Sequence, residues 1–350
     1  MNVSTTLITT HKAEKNKAFS PVIDIVLATY QGEKFLSEQI QSIQNNVGYS
    51  TLVRRLFIVD DGSTDGTEKL VKELSKKDSK LVWFESEKSN LGPMLNFQRG
   101  IELTKAPLIM LSDQDDVWCE HKIIENFTAI APFISSHKPA LVFSDMEIVD
   151  QELNLLCDSY FSHKRIPKNW HQDFSQLLQQ NTVSGCSSIF NRALINYALP
   201  FPKQGYMHDW WLALAAKCYG ELIFLDRTLL KYRQHNGNAI GAKNRSLWQR
   251  FYERHRFSQG IKNVLAQAKA FELHCSQADH QISHQDLESL QFLCHIEKMP
   301  VFQRIKALLD RKLTRSHIMA QLALTWVVLF HIPYDIKSKS ASGKKEKYLK

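Results

Sequence analysis

The chain has 350 residues, of which 43% are hydrophobic and 23% are charged, and this composition excludes an intrinsically disordered protein. No apolar stretch reaches the roughly 18 residues that a membrane-spanning helix needs, and residues 1–20 lack the apolar segment of a secretion signal, so we expect a flexible leader and no membrane span. The net charge of +8 is uneven: residues 241–350 carry 19 Lys+Arg against 9 Asp+Glu, whereas residues 1–240 carry 25 against 27.

Apolar runs alternate with helical patterns from residue 21 onward. The runs at 22–26, 56–59, 81–84 and 107–111 predict buried strands, and the patterns at 33–43, 70–74 and 94–103 predict helices between them. This alternation indicates an α/β fold in which helices flank a mostly parallel, Rossmann-like sheet. Further strands are expected at 140–143, 187–190 and 228–233, and a helix at 209–218.

The pattern changes near residue 240. We therefore expect a sheet domain over 21–240 and a basic helical region over 241–350, with a disordered tail from about residue 337. The six cysteines form no CxxC pair, which is typical of free thiols in a reducing cytoplasm.

Three predicted strands end in polar clusters. Thr29-Tyr30, Asp60-Asp61 and Asp113-Gln114-Asp115-Asp116 follow the first, second and fourth strands. Because ligands of such sheets bind at the carboxyl ends of the strands, we expect the three loops to form one site.

The acidic cluster after the fourth strand is the strongest chemical signal. Asp113 and Asp115 are two residues apart, and such carboxylates suit a Mg²⁺ or Mn²⁺ ion that also holds a diphosphate. An acidic surface turn is the alternative, but the position directly after an apolar strand favours a site. In the second cluster, Asp61 could accept the imide N–H of uracil or thymine, and an Asx-type turn is compatible with that role.

Several motifs together resemble the family 2 inverting glycosyltransferases of the GT-A fold. The motifs are the segments 25–33, 59–67, 112–118, 181–186, 208–211 and 232–235. Within that family the set is similar to bacterial rhamnosyltransferases and related enzymes of O-antigen and capsule assembly.

The resemblance implies a role for each matching residue. The nucleotide sugar would be held by Thr29, Tyr30, Glu33, Asp61 and Asp113. Asp113 and Asp115 would bind the metal and the diphosphate, and Asp209 would be the general base, although capping of the following helix is an alternative for Asp209.

The resemblance also suggests roles for residues beyond the three loops. His235 would reach the metal, and Arg233 the diphosphate; a surface position is the alternative for His235. Gly185, Trp210 and Trp211 would border the acceptor, whereas core packing is the alternative for the two tryptophans.

Two other functional classes remain open from sequence. The run from Asp113 to Val117 also resembles haloacid-dehalogenase-type phosphatases, with Asp113 as nucleophile, but that motif is expected on the first strand. A non-catalytic sugar-binding or membrane-binding module is the other alternative. Dinucleotide and P-loop motifs are absent.

The segment 322–330 is apolar and has basic residues on both sides. It predicts either an amphipathic segment on an anionic membrane or a helix packed on the sheet domain. The resemblance favours the membrane, since related enzymes use polyprenyl-diphosphate-linked saccharide acceptors at the cytoplasmic face of the bacterial inner membrane. Nucleic-acid binding is disfavoured, because the tail lacks interleaved aromatic residues. The sequence leaves open whether the donor is a dTDP-sugar or a UDP-sugar.

Overall fold

A computed structural model describes residues 21–85, 90–203, 205–235, 254–277 and 282–330, with backbone only at 254–258. The predictions for the leader and for the tail from residue 337 lie outside these ranges. The strands are β1 Ile23–Thr29, β2 Val53–Asp60, β3 Leu81–Phe84, β4 Leu108–Ser112, β5 Val117–Trp118, β6 Ala140–Val149, β7 Leu155–Cys157, β8 Ser188–Asn191 and β9 Glu221–Arg233.

The helices alternate with these strands and then continue alone. They are α1 Leu36–Gln44, α2 Tyr49–Leu52, α3 Thr67–Ser75, α4 Pro93–Leu103, α5 Lys122–Ile130, α6 Tyr160–Lys164, α7 Phe174–Gln179, α8 Arg192–Ala198, α9 His208–Tyr219, α10 Arg254–Gln277, α11 His284–His295, α12 Val301–Leu309 and α13 Ile318–Phe330.

The strands form one sheet in the order β3-β2-β1-β4-β8-β6-β9-β5, and β7 pairs with β6. The half made of β3, β2, β1 and β4 is parallel, as the strand and helix alternation predicts. Most residues of β1, β2 and β4 are buried, because both faces of this half of the sheet are covered. The carboxyl ends of β1, β2 and β4 therefore lie at one edge of the sheet.

The other half of the sheet is mixed rather than parallel. β8 runs antiparallel to both β4 and β6, and β5 runs antiparallel to β9. The sequence predicts a strand at 187–190, and the structure has it at Ser188–Asn191, but hydrophobic periodicity does not encode strand direction. The sequence-based expectation of a mostly parallel sheet thus holds for the first half, and the second half departs from it.

The helices after residue 254 share the core of the sheet domain. The Trp211 ring of α9 meets the Phe271 ring of α10 edge-on, with 5.1 Å between centroids. Leu324, Val327 and Val328 place the inner face of α13 in the same core. This face of α13 therefore packs on the sheet domain, which was one of the two alternatives for the segment 322–330.

The outer faces of α12 and α13 are apolar and exposed. Phe302 is 68% exposed, Leu309 77% and Phe330 72%. Within the described ranges, no helix has the length and hydropathy needed to cross a bilayer.

Candidate active site

A cavity of about 830 Å³ lies at the carboxyl ends of β1, β2 and β4. The loops after these strands line one side of it. The segment from Gln180 to Gly185, the start of α9 and parts of the C-terminal helical region line the rest. The three predicted polar loops thus meet at one site, as the position of the strand ends requires.

Gln114 fastens the loop after β1 to the loop after β4. Its side-chain oxygen accepts hydrogen bonds from the Thr29 hydroxyl at 2.6 Å and from the Tyr30 backbone N–H at 2.9 Å. Its amide nitrogen donates to the Tyr30 carbonyl at 3.0 Å. Thr29 and Tyr30 both line the cavity, and Tyr30 is 43% exposed there. The sequence assigned no role to Gln114, although it lies inside the acidic motif.

Asp61 lines the cavity and also shapes the loop before α4. Its two carboxylate oxygens accept the backbone N–H groups of Leu91, at 2.7 Å, and Gly92, at 2.8 Å. Gly92 has a φ of +81°, a conformation that strongly favours glycine, and Pro93 begins α4 directly after it. Each oxygen of Asp61 keeps a second lone pair for a ligand.

Glu33 is not brought to the cavity. Its carboxylate accepts the Gly66 N–H at 3.0 Å, and its own N–H donates to Asp65 at 3.1 Å. Glu33 therefore joins the loops after β1 and β2 on their exposed side. The structure corrects the expected nucleotide contact, because this carboxylate is used to hold the two loops together.

Asp113 and Asp115 both line the cavity. Burial, together with the neighbouring carboxylates of Asp115 and Asp209, raises the pKa of Asp113 to about 7. Asp115 Oδ2 lies 2.8 Å from His235 Nε2. The acidic loop is thus in contact with His235, for which the family resemblance implied a role in metal binding.

A second acidic group lies behind this loop. It consists of Asp113, Asp116 and Cys186, each of which has an oxygen or sulfur atom within 4.8 Å of those of the other two. Asp116 and Cys186 are buried outside the cavity lining, and burial raises the pKa of the Cys186 thiol, which therefore stays protonated.

Asp113 and Asp115 line the cavity, and their carboxylate oxygens are the ligands that Mn²⁺ and Mg²⁺ prefer. His235 contacts Asp115 from outside the cavity lining. Burial first, and then the charges of Asp115 and Asp209, raise the pKa of Asp113, and a cation bound at this carboxylate would lower that pKa.

Arg233 is buried beneath the acidic loop. Its guanidinium donates to the Asp115 carbonyl at 2.7 Å and to the Gln151 carbonyl at 2.5 Å, and it forms an ion pair with Glu38. The group lies 4.7 Å from the centre of the Phe35 ring. The expectation that Arg233 binds the diphosphate is corrected, since its guanidinium donates to the Asp115 and Gln151 carbonyls and pairs with Glu38.

Asp209 lies at the cavity at the start of α9. Its carboxylate accepts hydrogen bonds from Asn181 Nδ2 at 3.1 Å, from the Gly185 N–H at 3.2 Å and from the Trp210 N–H at 2.6 Å. Burial raises the pKa of Asp209 to about 6, and these hydrogen bonds oppose the increase. α9 begins at His208 with Met207 at its N-cap, so Asp209 lies within the first turn and the capping alternative does not describe it.

His208 is a cavity residue for which the sequence predicted no role. Its ring stacks on Phe97, with 4.1 Å between centroids, and burial lowers its pKa to about 3. Neither ring nitrogen has a hydrogen-bond partner within the described ranges. A Cβ at Gly185 would lie 2.6 Å from His208 Nε2, so glycine is required for this contact.

The two tryptophans of α9 have different positions. Trp210 lines the cavity, donates to the Leu177 carbonyl at 2.6 Å and meets the Tyr206 ring. Trp211 is 0% exposed and donates to the Ala198 carbonyl within the core. The expected place of Trp211 beside the acceptor is corrected: neighbouring helical residues point about 100° apart, and only Trp210 faces the cavity.

Three basic residues line the cavity at the end supplied by the C-terminal region. They are Lys164 at the end of α6, and Arg315 and His317 in the segment before α13. The sequence contains no motif that connects Arg315 or His317 with the acidic loops.

Comparisons with known proteins agree with this geometry. The model of the family described as Glycosyl transferase family 2 matches residues 24–196. The dTDP-rhamnosyl transferase RfbG of Shigella flexneri is 27% identical over 232 residues, which cover 62% of this chain and 74% of that protein. A GalNAc(5)-diNAcBac-PP-undecaprenol beta-1,3-glucosyltransferase of Campylobacter jejuni is 23% identical over 175 residues, which cover 50% and 53%.

Two solved structures share the fold. The mannosyltransferase PcManGT of Pyrobaculum calidifontis, in complex with GDP-Man and Mn²⁺, has a TM-score of 0.54 at 14% identity, covering 93% of this chain and 87% of that one. Residues 1–349 of S. aureus TarS have a TM-score of 0.51 at 16% identity, covering 89% and 82%. The GT-A fold predicted from the sequence is confirmed.

Proposed function

Residues 24–196 belong to glycosyltransferase family 2, and on that premise we propose that this chain transfers a sugar, with inversion, from a nucleoside diphosphate to a hydroxyl of a saccharide acceptor. The observation that carries the proposal is the position of Asp209. Its carboxylate lies at the same cavity as Asp113 and Asp115, and its orientation is set by Asn181 and Gly185. A base and a diphosphate site are the two parts that this reaction needs.

The proposed reaction is a single displacement. The acceptor oxygen forms a bond to the anomeric carbon while the bond from that carbon to the diphosphate oxygen breaks. Asp209 takes the proton of the hydroxyl, and the nucleoside diphosphate leaves with the bonding electron pair. No covalent enzyme intermediate is required. A carboxylate with a pKa of about 6 is ionised at neutral pH and is more basic than an ordinary Asp.

Asp113, Asp115 and His235 would hold the divalent cation, Mg²⁺ or Mn²⁺. When bound, this ion supplies positive charge that stabilises the departing diphosphate. The chain's own contribution is to keep Asp115 in place, through the His235 contact and the hydrogen bond from Arg233 to the Asp115 carbonyl. Arg233 is thus a positioning residue in this proposal.

The nucleotide is proposed to lie against Thr29, Tyr30, Asp61 and Asp113. Asp61 offers its free lone pairs to the imide N–H of the base, and Tyr30 is the exposed ring of the same loop. Glu33 contributes by holding the loops, because its carboxylate is bound to Gly66.

We propose L-rhamnose, carried by dTDP, as the sugar, and surface polysaccharide (O-antigen or capsule) assembly as the pathway type. The relative named as a dTDP-rhamnosyl transferase supports this choice. A UDP-hexose is the second candidate, supported by the Campylobacter relative named as a glucosyltransferase.

The acceptor is proposed to be a polyprenyl-diphosphate-linked saccharide, and the enzyme to work at the cytoplasmic face of the inner membrane. The exposed apolar faces of α12 and α13, with the exposed basic residues Arg311 and Lys312 between them, support peripheral attachment to an anionic bilayer. The Campylobacter relative is named for an undecaprenol-linked substrate.

A donor screen tests the function. Purified protein with Mn²⁺ is incubated with a panel of nucleotide sugars, and release of nucleoside diphosphate is measured. We expect release from one donor class, fastest with dTDP-rhamnose. Release from no donor, combined with hydrolysis of phosphate esters, would favour the phosphatase alternative; that alternative already disagrees with the position of Asp113 after the fourth strand.

A further inference from the structure

The basic residues Lys164, Arg315 and His317, here called the basic wall, line the same cavity as the acidic residues Asp61, Asp113 and Asp115, here called the acidic wall. The basic wall combines residues about 150 positions apart in sequence, since Lys164 ends α6 and the other two precede α13. It is not used by the displacement described above, which requires only the acidic wall and Asp209.

Hydrogen bonds hold the segment of Arg315 in a defined position. Gln179 donates to the Lys312 carbonyl at 3.0 Å and accepts the Thr314 N–H at 3.0 Å. Gln180 donates to the Ser316 hydroxyl at 2.8 Å and accepts the Ser316 N–H at 3.2 Å. The segment is therefore a built part of the cavity.

The same contacts place this segment beside the proposed base. Gln180 is followed directly by Asn181, whose amide donates to Asp209 at 3.1 Å. A general base must contact the acceptor hydroxyl, whereas the donor diphosphate belongs with the acidic wall. The group that the basic wall faces is therefore a part of the acceptor.

Around Arg315 and His317, hydrogen-bond donors outnumber acceptors in the part of the chain that the structure describes. Arg315 Nε is buried and has no partner in the parts of the chain that the structure describes. His317 Nδ1 lies 3.2 Å from the Met319 N–H, and its Nε2 lies 2.9 Å from Arg165 Nη1. A neutral imidazole has only one acceptor nitrogen, so one of these two donors lacks an acceptor in either tautomer.

Arg315 supplies a buried positive charge at this end of the cavity. Burial lowers the pKa of Arg315 to about 10, so the group stays a cation at neutral pH, and the titratable side chain that acts on it is Tyr206. Buried donors and a buried cation are costly without an acceptor of opposite charge.

We propose that the basic wall, through Lys164 and Arg315, binds an anionic group, a phosphate or carboxylate, carried by the saccharide acceptor. The inference rests on the proposed function for the identity of the ligand, but the anion site itself does not depend on it. A forked guanidinium beside a lysine is a typical arrangement for phosphate and carboxylate recognition. The exposed apolar residues Ile318 and Leu322 of α13 follow directly, so a diphosphate joined to a lipid would lie at the level of the headgroups.

Equilibrium binding of inorganic pyrophosphate and of glucuronate to the full chain tests the anion site without turnover. The titrations are done in EDTA, so that no metal occupies the acidic wall. Arg315→Gln and Lys164→Gln are compared with Lys262→Gln, which removes an exposed charge from α10 next to the cavity residue Ile261. We expect a tenfold to hundredfold weaker affinity for one of the two anions, on the order of one lost charge-assisted hydrogen bond, in the first two variants only. Equal affinity in all four proteins would overturn the site.

A kinetic comparison identifies the source of the anion. The acceptor saccharide is offered with a diphosphate-linked lipid or with a neutral lipid of the same length. We expect wild type to prefer the diphosphate form and Arg315→Gln to lose the preference, with the KM for the nucleotide sugar unchanged. A raised donor KM in Arg315→Gln would instead place the donor diphosphate at this end and overturn the proposal.

Vesicles of phosphatidylglycerol separate the acceptor from a free lipid headgroup. We expect Arg315→Gln to bind them as wild type does. A loss confined to vesicle binding, with unchanged pyrophosphate affinity, would contradict an acceptor site. Because the binding titrations use no turnover, they can contradict the anion site while the donor screen still supports the transferase function. The donor screen can likewise contradict the transferase function while the titrations support the anion site.

Discussion

The acidic wall and the basic wall of the cavity differ in how their residues are brought together. Asp61 and Asp113 directly follow the ends of β2 and β4, and Asp115 lies two residues beyond Asp113, so the parallel half of the sheet places all three at one edge. The basic wall depends on contacts between distant segments, such as Gln180 with Ser316. The part of a site that strand ends position can be predicted from a sequence. The part that contacts between distant segments position cannot.

The two walls are also expected to serve different substrates, the donor at the acidic wall and the acceptor at the basic wall, with Asp209 between them. Substitutions that separate donor binding from transfer therefore test the division directly.

The largest effect is expected for Asp209→Asn. The amide cannot accept the proton of the acceptor hydroxyl, and we expect transfer to fall by about 10³-fold, within the range of general-base catalysis. Binding of the nucleoside diphosphate with Mn²⁺, measured by calorimetry, should stay close to wild type. Asp310→Asn, at an exposed position, is the matched control. Turnover of Asp209→Asn equal to wild type would remove Asp209 from the base role.

Asp115→Asn tests the acidic wall. The variant loses a charge that faces the proposed cation and disturbs the contact with His235. We expect roughly 10²-fold slower transfer and weaker Mn²⁺-dependent nucleotide binding, because metal affinity depends on the ligand carboxylates. Pyrophosphate binding in EDTA should not weaken. If Mn²⁺-dependent binding is unchanged while the EDTA titration is lost, the assignment of the two walls is reversed.

The pH dependence of transfer tests the state of Asp209. The base acts as a carboxylate, and its pKa is raised to about 6, so the rate should be constant above this pH and fall about tenfold per unit below it. The assay uses saturating Mn²⁺ and donor, and nucleotide binding is measured at each pH. A rate that stays constant down to the ordinary pKa of Asp would show that burial does not shift this group.

Arg233→Met tests the support beneath the acidic wall. The change removes the donor to the Asp115 carbonyl and the partner of Glu38. We expect a loss of about 1–3 kcal/mol in the free energy of unfolding, and a severalfold higher Mn²⁺ concentration for half-maximal transfer. If Arg233 has only a structural role, the variant will change the free energy of unfolding and leave the Mn²⁺ dependence as it is. If Arg233 binds the diphosphate, the variant will raise the KM for the donor even at saturating Mn²⁺.

The smallest effect is expected at the exposed apolar face beside the basic wall. Phe302→Glu and Leu309→Glu place a charge where the membrane is proposed to lie, and we expect binding to anionic liposomes to weaken a few-fold to about tenfold. Leu155→Glu, on β7, is the control, because Leu155 is 59% exposed but far in sequence from α12. Flotation measures the bound fraction. Equal binding by all three variants would contradict attachment through α12.

The sequence predicts most of the first half of the molecule. The alternation from β1 to β4 and the helices between them follow from local hydrophobic patterns, and the strand ends identify the polar loops. Asp209 lies at the cavity and His235 contacts Asp115 from outside the cavity lining, and both were singled out only through the family resemblance. The direction of β8 was not predictable, because pairing partners are set by the whole sheet.

The errors at the site have one cause in common. Glu33, Arg233 and Trp211 belong to motifs, yet their side chains point to neighbouring loops or to the core. A motif gives the position of a residue in sequence, and the direction of its side chain depends on what packs against it. The same holds for Gln114 and His208, which occupy the cavity without a signal of their own.

The central claim is that the donor diphosphate lies at the acidic wall and the acceptor anion at the basic wall. A crystal structure tests this most directly. The crystal contains Mn²⁺ and the nucleoside diphosphate that the donor screen identifies, and an anomalous difference map locates the manganese. The account predicts the manganese peak between Asp113, Asp115 and the diphosphate, with the side chains of Arg315 and Lys164 not touching the nucleotide. A diphosphate bound to Arg315 and Lys164, with manganese away from Asp113 and Asp115, would contradict it.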